Sequence, residues 1–247
     1  MVFSPAPVPR EDPWYLYGLV RHSGPLPPGM AGLGGMGISS ISYLDLTMLA
    51  SPWPEERYEP APEHRADHQR VLEQVLALGL TIIPIRPGTL ASSPEQVKER
   101  LRQHYDSFHS LISSLEDQVE MGLEVFWEDI PFAEVMATER DLLPLEFPEA
   151  LGYEERIELG RRLAGALDRL RAARAEELLA SLKSLATRCQ RLPPSQESQL
   201  LEVWCLVPRR DLAEYQARLE SLLQQWPRLQ FRIHGPQPPS HFMELVI

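Results

Sequence analysis

Hydrophobic and polar positions change period several times along the chain, and each change marks an element. Trp14-Tyr15-Leu16-Tyr17-Gly18-Leu19-Val20 is aromatic and β-branched after a proline, and it reads as a first strand. Ile38 to Leu49 reads as a second strand or a hairpin, with Ile38, Ile41 and Tyr43, then Leu44, Leu46 and Met48, as its apolar positions. From Glu63 to Leu78 the period becomes helical, with Val71, Leu72, Val75, Leu76 and Leu78 on one face. Thr81 to Ile85 is a short buried strand that Pro87-Gly88 brings to a turn. Ser93 is placed to cap the next helix, with Pro94 at its first position. That helix, predicted to about Asp117, buries Val97, Leu101, Tyr105, Phe108, Leu111, Ile112 and Leu115. Gln118 to Trp127 alternates strictly, with Val119, Met121, Leu123, Val125 and Trp127 on one face of a half-buried strand.

The second half follows a proline-punctuated connector, Ile130 to Gly152. Leu159, Leu163, Leu167, Leu170, Leu178, Leu182, Leu185 and Cys189 recur at three- and four-residue steps. They predict a helix from Tyr153 to about Arg191, roughly 58 Å long if continuous, with Arg174 interrupting the stripe and leaving room for a bend or break near Arg171–Glu176. Pro193-Pro194 stops it. A strand at Leu200–Val207, a helix at Arg210–Gln225 and a strand at Leu229–Ile233 complete the pattern. The expected class is α+β. The expected organisation is an N-terminal domain over 1–130, a connector over 131–152, a second domain over 153–234 and a proline-rich tail over 235–247.

Composition narrows the function. The chain is 43% apolar and 24% charged over 247 residues, enough for a sizeable core. Its 24 prolines mark connections and termini. The net charge is −11, and the acidity is concentrated in residues 1–130. A nucleic-acid binder needs a basic stripe, and an anionic membrane surface favours one, so neither partner is expected. The longest apolar stretch, about Val75 to Ile85, is far short of the ~20 residues of a membrane helix. The proline-rich N-terminus lacks an apolar signal core. Cys189 and Cys205 are the only cysteines, too few for a disulfide framework or a zinc site. A reducing cytoplasm is the expected setting, with Cys205 an inert thiol in an apolar strand.

Candidate chemistry is sparse. His64 and His68 sit four apart on the first helix, a spacing that can hold a metal, but no third ligand is evident and no metal or cofactor is expected. The glycines at 29, 32, 34, 35 and 37 match no phosphate-binding spacing and read as a flexible connector. Arg86 ends a buried strand before a turn; it either holds that loop or takes an anion. An enzyme reading would place a small site around His64, His68 and Arg86. No nucleophile motif or acid/base pair stands out, so no catalytic residue is assigned. Pro236, Pro238 and Pro239 favour an extended, low-entropy tail, and Phe242, Met243, Leu245, Val246 and Ile247 give it an apolar end. Such a tail either plugs a groove of its own body or docks on a partner.

Four stretches, in order, resemble the gas vesicle protein F/L family (GvpF/GvpL). They are Tyr15-Leu16-Tyr17-Gly18-Leu19-Val20; His68 with Val71-Leu72 and Val75; Ile83-Pro84-Ile85-Arg86-Pro87-Gly88-Thr89; and Gly235-Pro236-Gln237-Pro238-Pro239-Ser240-His241-Phe242. The last is similar to the family's Gly-Pro-Trp-Pro-Pro-Tyr-Ser-Phe, with Gln237, Ser240 and His241 in place of Trp, Tyr and Ser. Pro87 replaces a Phe in the third. The resemblance implies an N-terminal modified ferredoxin-like domain and a C-terminal α/β domain with long helices. It implies a minor structural or assembly protein of gas vesicles, in the cytoplasm or on the vesicle. The expected partners are the main shell protein GvpA and other gas vesicle proteins. Gly235, Pro236, Pro238, Pro239 and Phe242 are the expected partner-binding residues, and Pro84, Arg86, Gly88 and Thr89 the expected structural turn.

Overall fold

The computed structural model describes residues 13–22, 29–53, 62–129, 134–135 and 152–243. The connector expected over 131–152 falls almost entirely outside them, as does the tip of the tail. The class is α+β, as expected, with two sheets in two compact units. One unit runs through Val119 and regains the chain from Gln237; the other is Glu120–Pro236.

In the first unit, β1 (Trp14–Arg21) is the central strand. It pairs antiparallel with β3 (Leu46–Pro52), β4 (Ile82–Pro84) and β5 (Leu90–Ala91), and β2 (Ser39–Tyr43) pairs outside β3. The 38–49 segment is thus a hairpin, with Leu44 and Asp45 as its two-residue turn. Helices α1 (Pro62–Ala77), α2 (Pro94–Gln103) and α3 (Tyr105–Leu115) complete the unit. Ser93 caps α2 as expected, its hydroxyl accepting from Gln96 N at 3.2 Å with Pro94 at the first position. The helix predicted to run unbroken to Asp117 is two helices. His104, with φ −111° and ψ 18°, breaks it, and Val97 and Leu101 on α2 and Phe108, Ile112 and Leu115 on α3 are buried separately.

The glycine-rich segment is a built turn rather than a loose connector. Gly32 N donates to Met36 O at 2.7 Å, and Leu33 is 2% exposed in the core. A Cβ at position 32 would lie 2.1 Å from the Tyr17 hydroxyl, so only glycine lets the backbone approach that ring.

The second unit contains β6 (Gln118–Trp127), α4 (Tyr153–Lys183), β7 (Arg188–Leu192), β8 (Gln199–Pro208), α5 (Leu212–Gln225) and β9 (Leu229–Gln237). Its sheet order is β7-β8-β6-β9. Elements in the order β-α-β-β-α-β with that strand arrangement make the split βαβ of ferredoxin-like folds. The ferredoxin-like unit is therefore the second one, not the first. The strand Gln118–Trp127, read from the sequence as the close of the first domain, is its central strand. Helix α4 is continuous over 31 residues and stops at Lys183. No break occurs at Arg174, whose side chain bonds Glu134 and Glu177 and lies 4.8 Å from the Trp226 ring centroid.

Residues 188–192, predicted as the end of that helix, form β7 instead. Cys189 faces Cys205 across the β7–β8 ladder and the two are joined in a disulfide, their Cα atoms 4.2 Å apart. The expected pair of free thiols is thus corrected by register, which no count of cysteines reveals.

Candidate functional site

The residues singled out in the first unit meet around β1. Tyr15 and Tyr17 both point into the core, their rings 5.0 Å apart, and each hydroxyl is fully used. The Tyr15 hydroxyl accepts from Gly88 N at 3.1 Å and bonds His68 Nδ1 at 3.0 Å. The Tyr17 hydroxyl accepts from Leu33 N and bonds Ser51 Oγ, both at 2.8 Å. The bond between the Tyr15 hydroxyl and His68 Nδ1 takes its direction from the imidazole tautomer, and burial favours the neutral ring. Burial pushes His68 down to about 4, only partly offset by the Ile85 carbonyl, and Nε2 makes no well-formed hydrogen bond. His68 is therefore a buried, neutral hydrogen-bond partner of Tyr15.

The Pro84–Thr89 turn hangs on the same strand. Ile85 N donates to Tyr17 O at 2.9 Å and Leu16 N to Thr89 O at 3.0 Å. The Thr89 hydroxyl closes the turn on the Arg86 carbonyl at 2.7 Å. The carbonyl of Arg86, not its guanidinium, does the holding. The guanidinium is exposed and makes no hydrogen bond or ion pair among the described residues. His64 lies edge-on to Trp53 at 5.0 Å. The structure thus brings His68 and the turn's backbone together, but it sends the Arg86 side chain outward.

The tail divides likewise. Gly235 and Pro236 are exposed and joined by a cis peptide, whereas Pro238 and Pro239 are buried and Phe242 is 3% exposed. Phe242 is an internal anchor, and it takes the plugging role that the sequence had left open beside docking.

A feature the sequence reading missed lies at the β2–β3 turn. Leu44 is 67% exposed and has φ +54°, in the left-handed region. That conformation costs a branched L-residue roughly 1–2 kcal/mol that glycine or asparagine largely avoids. The turn is nonetheless firmly built. Asp45 accepts from the Tyr105 hydroxyl at 2.7 Å, sits 3.6 Å from His109, and its carbonyl accepts from His22 N at 3.0 Å. Tyr43 packs edge-on against Tyr105 at 5.9 Å. A clamped turn therefore holds one leucine in water against both its backbone and its solvation preference.

On the second sheet, the Trp204 ring lies over Gly122, where a Cβ would come within 2.4 Å of it. Trp204 stacks on His234 at 5.6 Å; His234 bonds Glu124 at 2.9 Å, and Arg232 lies over Phe126 at 4.6 Å. These partners satisfy one another and converge on no open position. No helix among the described residues is long and apolar enough to cross a membrane.

The model of the gas vesicle synthesis protein GvpL/GvpF family matches residues 13–244. The chain belongs to the GvpL/GvpF family. It is 29% identical over 238 residues to gas vesicle protein F of a Streptomyces species, covering 93% of this chain and 99% of the relative. It is 24% identical to gas vesicle protein F of Dolichospermum flosaquae, over 94% and 98%. The crystal structure of GvpF from Anabaena superposes with a TM-score of 0.87 at 23% identity, covering 96% of this chain and all of that one. GvpF from Microcystis aeruginosa gives 0.79 at 22% identity, over 94% and 99%. The GvpF fold thus spans both units, and this GvpL/GvpF chain is a gas vesicle-related protein.

Proposed function

We propose that this GvpL/GvpF protein acts during gas vesicle formation by binding the main shell protein, GvpA, and that its work is adhesion rather than bond-making. The supporting observation is the β2–β3 tip. A left-handed leucine on a clamped hairpin is a backbone outlier, and such outliers cluster at functional sites. Leu44 supplies the apolar contact. Asp45, Tyr105 and His109 keep the tip from yielding, which limits the entropy lost on binding.

The test is co-purification of tagged protein with the shell protein, for the wild type and for Leu44→Asn. Asparagine tolerates the left-handed backbone, so the variant keeps the fold. Retention of shell protein by the wild type and its loss in the variant is expected. Absence of binding by the wild type sinks the adhesion reading; equal binding by both removes Leu44 from it.

A further inference from the structure

Cys189 and Cys205 form a direct cross-strand pair between β7 and β8, bonded through their sulfurs. Three features of their setting bear on what that bond does. Cys205 is fully buried, whereas Cys189 is partly exposed, so the two sulfurs are not equally open to attack. Among the described residues β7 is an edge strand, paired with β8 alone. None of its five residues is fully buried, so apolar packing holds it weakly. Arg191, on the same face as Cys189, reaches Glu176 of α4 at 3.5 Å, an exposed contact of small worth. Beyond the backbone ladder to β8, the covalent tie is what fixes this strand, and it joins residues only 16 apart in sequence.

We propose that Cys189–Cys205 is a reversible thiol–disulfide site for a low-molecular-weight thiol of the glutathione class, and that its state decides whether β7 stays on the sheet edge. A thiolate of the small thiol attacks Cys189 Sγ. The protein S–S bond breaks, and the Cys205 sulfur leaves with the electron pair and takes a proton. A second small thiol attacks the mixed disulfide at its own-type sulfur, releasing Cys189 as a thiol. In sum, one protein disulfide and two small thiols become two protein thiols and one small disulfide; the reverse reaction restores the tie. In a thiol-rich compartment a cross-link of this kind is a responsive element rather than a permanent staple. Reduction frees β7, and the outer edge of β8 then presents unpaired backbone groups, which a sheet otherwise keeps covered.

Arg188 and Arg191 lie exposed on β7, so trypsin reads the strand directly. The full-length protein is treated with oxidised or reduced glutathione, its thiols are counted by alkylation and intact mass, and it is digested briefly. The oxidised form should show no alkylated cysteine and resist cleavage after Arg188 and Arg191. The reduced form should show two, and be cut there at least about tenfold faster. Its melting temperature should fall by roughly 10 °C. Cys189→Ser should cut at the fast rate under both treatments. If that variant does not fold, the reduced wild type carries the same comparison. Two free thiols after oxidised glutathione, a disulfide that reduced glutathione leaves intact, or equal cleavage of both forms at β7 would each overturn the proposal.

Discussion

In the first unit, β1 fills the core with Tyr15 and Tyr17, and α1 answers with His68; Thr47 and Ser51 of β3 are buried beside them. In the second unit, β8 offers Leu201, Val203 and Val207, and α4 answers with Ala175, Leu178 and Leu182. Both cores are packed from aliphatic side chains; the first adds directional hydrogen bonds at Tyr15 and Tyr17, the second a cross-strand disulfide. Hydrogen-bonded groups fix a unique arrangement, because each buried donor must find its acceptor. Aliphatic packing tolerates sliding, and there a covalent bond fixes the edge instead. The first kind of core responds to pH, the second to the volume of its side chains and to thiol chemistry.

The largest effect should come from the aliphatic core. Leu178 is fully buried on α4. Leu178→Ala should cost about 3–4 kcal/mol through lost transfer energy and the cavity left behind. Urea unfolding followed by hydrogen exchange should place the loss in residues of the second unit. A loss shared equally by both units would break the distinction between them.

Next comes the pH response of the first unit. Unfolded, an imidazole titrates near 6.5, whereas folded His68 resists protonation down to about 4. Between those values the unfolded chain binds a proton that the folded chain does not. Stability therefore falls as pH drops below about 6.5, and the loss levels off below about 4, at about 3 kcal/mol in total. His68→Gln keeps an acceptor for Tyr15 but does not titrate, so urea midpoints measured from pH 7 to pH 4 should fall less steeply in the variant. Parallel curves for the two proteins would show that His68 is not the group responsible.

How much of this was legible in the sequence depends on the kind of pattern. The strands β6, from its alternation, and β8, from its apolar run, are legible in the sequence, because both patterns belong to strands that bury side chains. Which sheet β6 joins was not, since alternation reports a half-buried face and says nothing of its neighbours. Residues 188–192 were misread as helix because Cys189 continues the leucine stripe at a helical step, and its true partner lies on another strand. The Pro84–Thr89 turn was legible from its prolines and glycine; that Tyr15 holds it through the Gly88 amide was not. In the sequence Leu44 is one of the apolar positions of the 38–49 segment. Its exposure follows from a positive φ that no local composition announced. Phe242, Pro238 and Pro239, expected to bind a partner, are buried, and of that set only Gly235 and Pro236 are exposed.

A smaller effect should separate hydroxyl from ring in the first unit. Tyr17→Phe keeps the ring and leaves the Leu33 amide and the Ser51 hydroxyl without their shared partner. The cost should be about 1–2 kcal/mol, with hydrogen exchange quickened at Leu33 while α4 is unaffected. An unchanged midpoint would mean that water replaces the hydroxyl and that the directional character of this core is overstated.

The smallest change has the opposite sign. Leu44→Asn removes a side chain that packs on little and relieves a backbone conformation that leucine resists, so it should stabilise the first unit by about 0.5–1 kcal/mol. In thermal melts that is a rise of a few degrees. The gain matters because of what should accompany it: a protein that folds better and holds the shell protein less well. A stabilising substitution that costs binding is the signature of a residue kept for its partner rather than for its fold. If Leu44→Asn instead lowers the midpoint, the leucine is earning its place within the hairpin, and the β2–β3 tip loses its claim as the gripping surface.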